Sequence, residues 1–163
     1  YQCNQPVAVR YPRGSAGNCD VESTMSAIEI GKARSIKLGS KVAILSFGTL
    51  LENAKVVADE LNATVIDMRF IKPLDTNIID ELSQTHDLIV TLEENVISGG
   101  AGSGVSEYLN KQNTSTAILN LGLPDAFLPH GKHLSLLEQC GLSGQGIEQS
   151  IKEKLQALEE TIN

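Results

Sequence analysis

The sequence predicts a three-layer α/β/α sandwich on a mostly parallel sheet, and three observations predict it. First, four short apolar runs are each long enough for a strand and too short for a helix: 42–47, 63–68, 88–92 and 117–121. Second, these runs are near-continuous rather than alternating, as expected when helices cover both faces of a sheet. Third, amphipathic segments of helical period lie between them, so strand and helix alternate from residue 42 onward.

Each helix has its own signal. After the first run, Thr49-Leu50-Leu51-Glu52 has the spacing of a capping box. Leu50, Leu51, Ala54, Val57, Ala58 and Leu61 then share one stripe, and Asn62 is a natural left-handed stop. After the second run Pro73 breaks the chain, and Asp75 is expected to cap a helix that buries Ile78, Ile79 and Leu82. After the third, a glycine-rich turn leads into a helix with Val105, Tyr108 and Leu109 inward. Leu134 and Leu137 belong to a short helix, and Ile147, Ile151, Leu155 and Leu158 to a longer one starting near Ser143.

Residues 1–40 do not share this alternation. Pro6 to Tyr11 reads as a strand ending at Pro12, and Arg13 to Ser26 is a connector rich in Gly, Ser, Asn and Asp. Ile28 to Leu38 alternates apolar and polar residues, as a half-exposed edge strand does. The chain opens on Tyr1 with no basic or apolar leader, and its first methionine is Met25, so it reads as a piece of something longer. The expected layout is the tail of a preceding domain, a linker, and one complete α/β domain.

Composition excludes several classes. The chain has 163 residues, enough for one domain with a real core. Thirteen Lys and Arg against twenty Asp and Glu give a net charge of -7, which argues against a nucleic-acid surface. Aromatics are only 4% with no Trp, so stacking platforms for single strands are missing too. No apolar run approaches the roughly 20 residues of a membrane span. Cys3, Cys19 and Cys140 have no metal-ligand spacing and read as reduced thiols of a cytoplasmic protein. His130 and His133 lack a Cys or carboxylate partner at ligand spacing, which makes a zinc site improbable.

Three places can carry chemistry. The turn Ser98 to Gly104 joins a strand to a helix and offers helix N-terminal amides to an anion. It fails the dinucleotide fingerprint, because Val105 takes the place of the third glycine and the next strand offers Asn120 rather than a carboxylate. A tight turn packed under its neighbours is the favoured reading. Glu93 and Glu94 end the third run, where open parallel sheets present ligand-facing residues. They suit acid/base work or a metal, but bonding to the following glycine-loop amides or to a cation is preferred. Arg10 and Arg13 flank Tyr-Pro without an acidic neighbour, which suits a bound phosphate or carboxylate as well as an exposed linker.

Beyond composition and spacing, several blocks carry a resemblance. Val7 to Gly14, Ile30 to Ala33, Ala43 to Thr49, Asp67 to Asp75, Leu92 to Asn95, Gly99 to Ser103 and Leu121 to Asp125 together resemble the C-terminal end of the bacterial 1-deoxy-D-xylulose-5-phosphate synthase family. The likeness spans essentially the whole chain, in order and at the right spacing. Its D-x-R-F-x-K-P-L-D and E-E-N…G-G-A-G-S blocks are specific to that family within the wider transketolase group.

The resemblance implies a fold of transketolase C-terminal type: a five-stranded sheet, mostly parallel, with one antiparallel edge strand. It implies residues 1–13 as the tail of a pyrimidine-binding domain, 14–27 as a linker and 28–163 as the transketolase C-terminal-type domain. Family members condense pyruvate with glyceraldehyde 3-phosphate and release carbon dioxide, the entry to isoprenoid synthesis by the methylerythritol phosphate route and a source for thiamine and pyridoxal. They are cytoplasmic homodimers that use thiamine diphosphate and magnesium. The second arginine of R-Y-P-R-G holds the substrate phosphate, which implies that role for Arg13. Catalytic, cofactor and metal residues belong to the two preceding domains, so the chain alone is expected to bind neither thiamine diphosphate nor magnesium and to be inactive. Its implied partners are those domains, a second copy and small-molecule substrates, with no nucleic acid and no membrane. No role falls to His130. Two competitors are a non-catalytic doubly wound module binding a nucleotide or anion at the glycine turn, and the matching domain of another transketolase-type thiamine enzyme. The Arg69 to Asp75 block speaks against the second.

Overall fold

A computed structural model describes residues 4–12 and 26–162. The sheet has five strands: β1 (Arg34–Lys37), β2 (Val42–Phe47), β3 (Thr64–Asp67), β4 (Leu88–Val96) and β5 (Ala117–Leu123). Five helices accompany them: α1 (Leu51–Leu61), α2 (Thr76–Thr85), α3 (Ala101–Lys111), α4 (His133–Gln139) and α5 (Gly144–Ile162). The spatial order is β1-β3-β2-β4-β5. β1 runs antiparallel to β3, and every other pairing is parallel.

Alternation along the strands divides the core into two layers. Val42, Ile44, Val65, Leu88, Val90 and Leu92 face α1 and α5, meeting Ala54, Val57, Ala58, Ile147 and Ile151. Ala43, Leu45, Ile66 and Ile89 face α2 and α3, meeting Ile79, Leu82, Val105 and Leu109. Both faces of β2 are therefore buried, which is why that run carries no polar residue before Ser46. The edge strand β5 is only half-buried over most of its length.

The expected helices form, with local corrections. Asn62 ends α1 in the left-handed region at φ 49°, a conformation that Asn tolerates better than most residues. The capping box at Thr49 does not form: Leu50 holds the N-cap position, and the Thr49 hydroxyl donates to Glu94 instead. Asp75 sits at the N-cap of α2 but accepts no hydrogen bond from that helix; its Oδ2 accepts from the Ala33 amide at 2.9 Å. On α4, Leu137 is buried while Leu134 faces outward. The edge strand is shorter than 28–38, because Gly31 at φ 73° turns the chain before it.

Pro6 to Tyr11 is not a strand. A strand needs a neighbour to pair with, and none of the five described strands pairs with this segment. Its residues are exposed, and it touches the domain through Arg10. The linker proposed for 14–27 lies mostly outside the described residues.

Candidate site at the carboxyl end of the sheet

Strand β4 is the central element here, because it delivers two consecutive carboxylates to opposite faces of the sheet. Glu93 turns toward α3 and is 3% exposed. Its Oε2 accepts from the Ala101 amide and its Oε1 from the Gly102 amide, both at 2.8 Å. The first turn of α3 is thus capped by a buried carboxylate, which satisfies two orphan N–H groups and complements the positive end of the helix dipole.

The glycines make this approach possible. A Cβ on Gly100 would lie 2.5 Å from Glu93 Oε2, and one on Gly102 would overlap the Thr91 hydroxyl. A polar chain continues beneath the helix: Thr91 Oγ1 donates to Asn120 Oδ1 at 2.7 Å, Asn120 Nδ2 to Ser106 Oγ at 2.8 Å, and Ser106 Oγ to the Gly102 carbonyl at 3.1 Å. Ser103 closes the turn by accepting from the Gly99 amide and donating to the Ile97 carbonyl. An anion arriving at this turn would meet amides already taken and a carboxylate behind them. The turn is therefore a packing device, as its spacing predicts, and its donor set does not fit a pyrophosphate.

Glu94 faces the other way, toward the starts of α1 and α4. Its Oε2 accepts from Thr49 Oγ1 and its Oε1 pairs with His133 Nε2, each at 2.7 Å. Its backbone carbonyl accepts from Arg10 Nη2 at 2.9 Å. Burial pushes the Glu94 carboxyl up, but the bonds from Thr49 and His133 and the charges of His133 and Arg10 outweigh it, so the group lies below its usual range. His133 thus has a carboxylate partner distant in sequence, which local spacing could not reveal. His130 is exposed in the loop before α4.

Arg69, not singled out by sequence reasoning, leaves β3 in the left-handed region at φ 55°. Its Nε and Nη2 donate to the Lys32 and Ala33 carbonyls at 3.0 and 3.1 Å, fixing the turn into β1. A positive φ at a non-glycine residue has no signature in composition or periodicity. Arg13, expected at a substrate phosphate, lies outside the described residues, as do Cys3 and Cys19. Cys140 is half-buried and unpaired in any disulfide. Among the described residues no group of three or more His, Cys, Asp or Glu could hold a metal. Nor is any helix among them long and apolar enough to cross a membrane.

Comparison with known proteins agrees with this architecture. The family described as "Transketolase, C-terminal domain" matches residues 31–147. The chain is 61% identical over 152 residues to 1-deoxy-D-xylulose-5-phosphate synthase of Pseudoalteromonas translucida, covering 93% of the chain and 24% of that protein. It is 53% identical over 151 residues to the synthase of Haemophilus influenzae, with 93% and 24% covered. The chain therefore spans about a quarter of the length of the curated relatives it matches. Among solved structures, a split-gene transketolase described as an inactive beta4 tetramer superposes with a TM-score of 0.72 at 28% identity, covering 77% of this chain and 43% of that one. Transketolase from Campylobacter jejuni shares the fold, with a TM-score of 0.57 at 15% identity over 76% of this chain and 18% of that one. The antiparallel edge strand, the parallel four-strand remainder and the match to residues 31–147 together place this chain in the transketolase C-terminal domain family.

Proposed function

We propose that the chain is the C-terminal domain of a 1-deoxy-D-xylulose-5-phosphate synthase, which joins pyruvate to glyceraldehyde 3-phosphate and releases carbon dioxide. The observation that carries this reading is identity of 51% to 61% to synthases over more than nine-tenths of the chain. In this reading thiamine diphosphate and magnesium are held by the parts of the enzyme outside this chain. The occupied amides at the glycine turn support that division, since the cofactor's anionic end has no cradle there.

Within the complete protein, Arg13 binds the phosphate of the aldehyde substrate. A guanidinium offers paired donors in a planar fork that matches phosphate oxygens, and it stays charged at any working pH. Residues 1–13 are the tail of the preceding pyrimidine-binding domain, 14–27 link it, and 28–163 make the transketolase C-terminal-type domain. The exposure of Val7, Val9 and Tyr11 supports this division, because the described residues of this chain leave these apolar side chains uncovered. The enzyme works in the cytoplasm as a homodimer, and the C-terminal domain completes its fold.

A direct test compares the full-length protein with the chain alone. Each is supplied with pyruvate, glyceraldehyde 3-phosphate, thiamine diphosphate and magnesium, and carbon dioxide is measured. Release that depends on the aldehyde is expected from the full-length protein, and none from the chain. Sustained turnover by the chain would refute the division of labour proposed here.

A further inference from the structure

Resting on the reading that this chain is the C-terminal domain of a longer enzyme, we propose that the carboxyl end of the sheet docks the preceding domain, through the loop between β5 and α4. Strands β2 to β5 run parallel, so their carboxyl ends share one end of the sheet, and antiparallel β1 begins there. Exposed apolar side chains gather at that end. Ile71 follows β3, and Ile30 comes before β1, next to Gly31, which abuts Pro73. Phe127 and Leu128 follow β5, and Leu134 lies in the first turn of α4. Phe127 is fully exposed, although Phe is among the residues most often buried. Apolar surface collected on one face of a fold marks an interaction site.

This end is held in shape rather than loose. His133 Nε2 and Glu94 Oε1 lie 2.7 Å apart and tie the start of α4 to β4. With α4 set this way, Leu137 enters the core and Leu134 points outward. The Ala126 amide donates to the Pro124 carbonyl at 2.9 Å, which turns the chain just before Phe127.

Two observations name the occupant. The chain spans about a quarter of the length of its curated relatives, so most of such an enzyme lies outside it. Residues 4–12, which the proposed function assigns to the preceding domain, also meet the fold at this end: Arg10 Nη2 donates to the Glu94 carbonyl at 2.9 Å. The carboxylate of that same Glu94 holds His133, the neighbour of Leu134. By contrast, Leu38 lies after β1 at the opposite end, and Val56 lies midway along α1. Those two exposed side chains are away from the point of entry and serve as references.

The test labels the full-length protein with a maleimide under native conditions. Phe127→Cys and Leu134→Cys each place a thiol in the proposed interface, and Leu38→Cys and Val56→Cys place one outside it. Labelling is read peptide by peptide by mass spectrometry, which separates these thiols from the natural cysteines. The thiols at 127 and 134 are expected to react about tenfold or more slowly than those at 38 and 56, the factor that corresponds to an opening cost of about 1.4 kcal/mol. Adding Phe127→Asp to Leu134→Cys is expected to restore fast labelling at 134, because a charge cannot enter an apolar contact without cost.

Equal rates at all four positions overturn the docking face. Protection that disappears when dilution separates the copies assigns the face to a second copy and overturns the preceding domain as its occupant. Carbon dioxide release by the parent full-length protein is measured alongside. Protection without turnover removes the synthase reading and leaves the docking face standing, whereas turnover without protection removes the docking face alone.

Discussion

Replacing Glu93 by alanine removes the acceptor for two buried amides at once, and its cost follows from the geometry. Both bonds are 2.8 Å long, the acceptor is 3% exposed, and the donors are the first free N–H groups of α3. A hydrogen bond to a charged group contributes about 1.5–3 kcal/mol, and an orphaned buried donor costs about 1–3 kcal/mol. Water entering the space left by the side chain returns part of that loss. The expected destabilisation is about 3–5 kcal/mol, or roughly 6–20 °C in Tm for a domain of this size. Glu93→Gln should lose about half as much, because its amide nitrogen must face one of the two N–H donors. The assay is urea denaturation of the chain followed by circular dichroism, with Tm as a cross-check. A loss below about 1 kcal/mol in Glu93→Ala would refute the claim that this carboxylate holds the glycine turn and α3 in place.

Other expectations follow from neighbouring groups. Gly102→Ala sets a methyl group against Thr91 Oγ1 and should cost about 1–3 kcal/mol, whereas Gly104→Ala, with open space around it, should gain about 0.5–1 kcal/mol; the same urea series compares them. Ser46 Oγ is buried without a hydrogen-bond partner among the described residues, so Ser46→Ala should be neutral or stabilise by about 1 kcal/mol, as a shifted urea midpoint would show. Glu94 is held more acidic when folded than when unfolded. Its contribution is therefore complete above the unfolded value of about 4.3 and is lost as pH falls through the lower folded value. Stability measured against pH should fall less steeply below about pH 4.3 in Glu94→Gln than in the parent chain.

Much of the fold was legible because its strands are buried on both faces. Val42 to Phe47 needs no tertiary information to be read as a strand: six residues between turn signals, apolar except for Ser46, have few alternatives. The helical stripes of α1 and α5 were equally plain. The failures share a cause, which is competition from residues distant in sequence. Thr49 has the spacing of a cap, but Glu94 lies 45 positions away and takes its hydroxyl. Asp75 has the position of a cap, yet the Ala33 amide, 42 positions earlier, takes its carboxylate. Strand β4 runs on to Val96, past the apolar run, because β5 pairs with it beyond an irregularity after Leu92. Pro6 to Tyr11 has the pattern of a strand and no neighbour here to make it one.

The candidate site was half legible. Glu93 and Glu94 stood out as a pair at a strand end, and the preferred bonding of Glu93 to the glycine-loop amides is what the structure shows. Alternation along β4 sends Glu94 to the other face, where it meets His133 across 39 positions of sequence. No spacing rule covers such a pair. The two arginines were visible as a motif; Arg10 donates to the Glu94 carbonyl, and Arg13 lies outside the described residues.

In the function proposed above, this chain serves a synthase and touches the substrate through Arg13. Steady-state kinetics on the full-length protein tests it most directly, with pyruvate and glyceraldehyde 3-phosphate varied in turn and the product identified by mass spectrometry. The expected products are 1-deoxy-D-xylulose 5-phosphate and carbon dioxide in equal amounts. Arg13→Ala is expected to raise KM for the aldehyde about tenfold or more, as on losing a charge-assisted bond, with KM for pyruvate unchanged. Absence of that product, or an aldehyde KM indifferent to Arg13→Ala, would contradict that function.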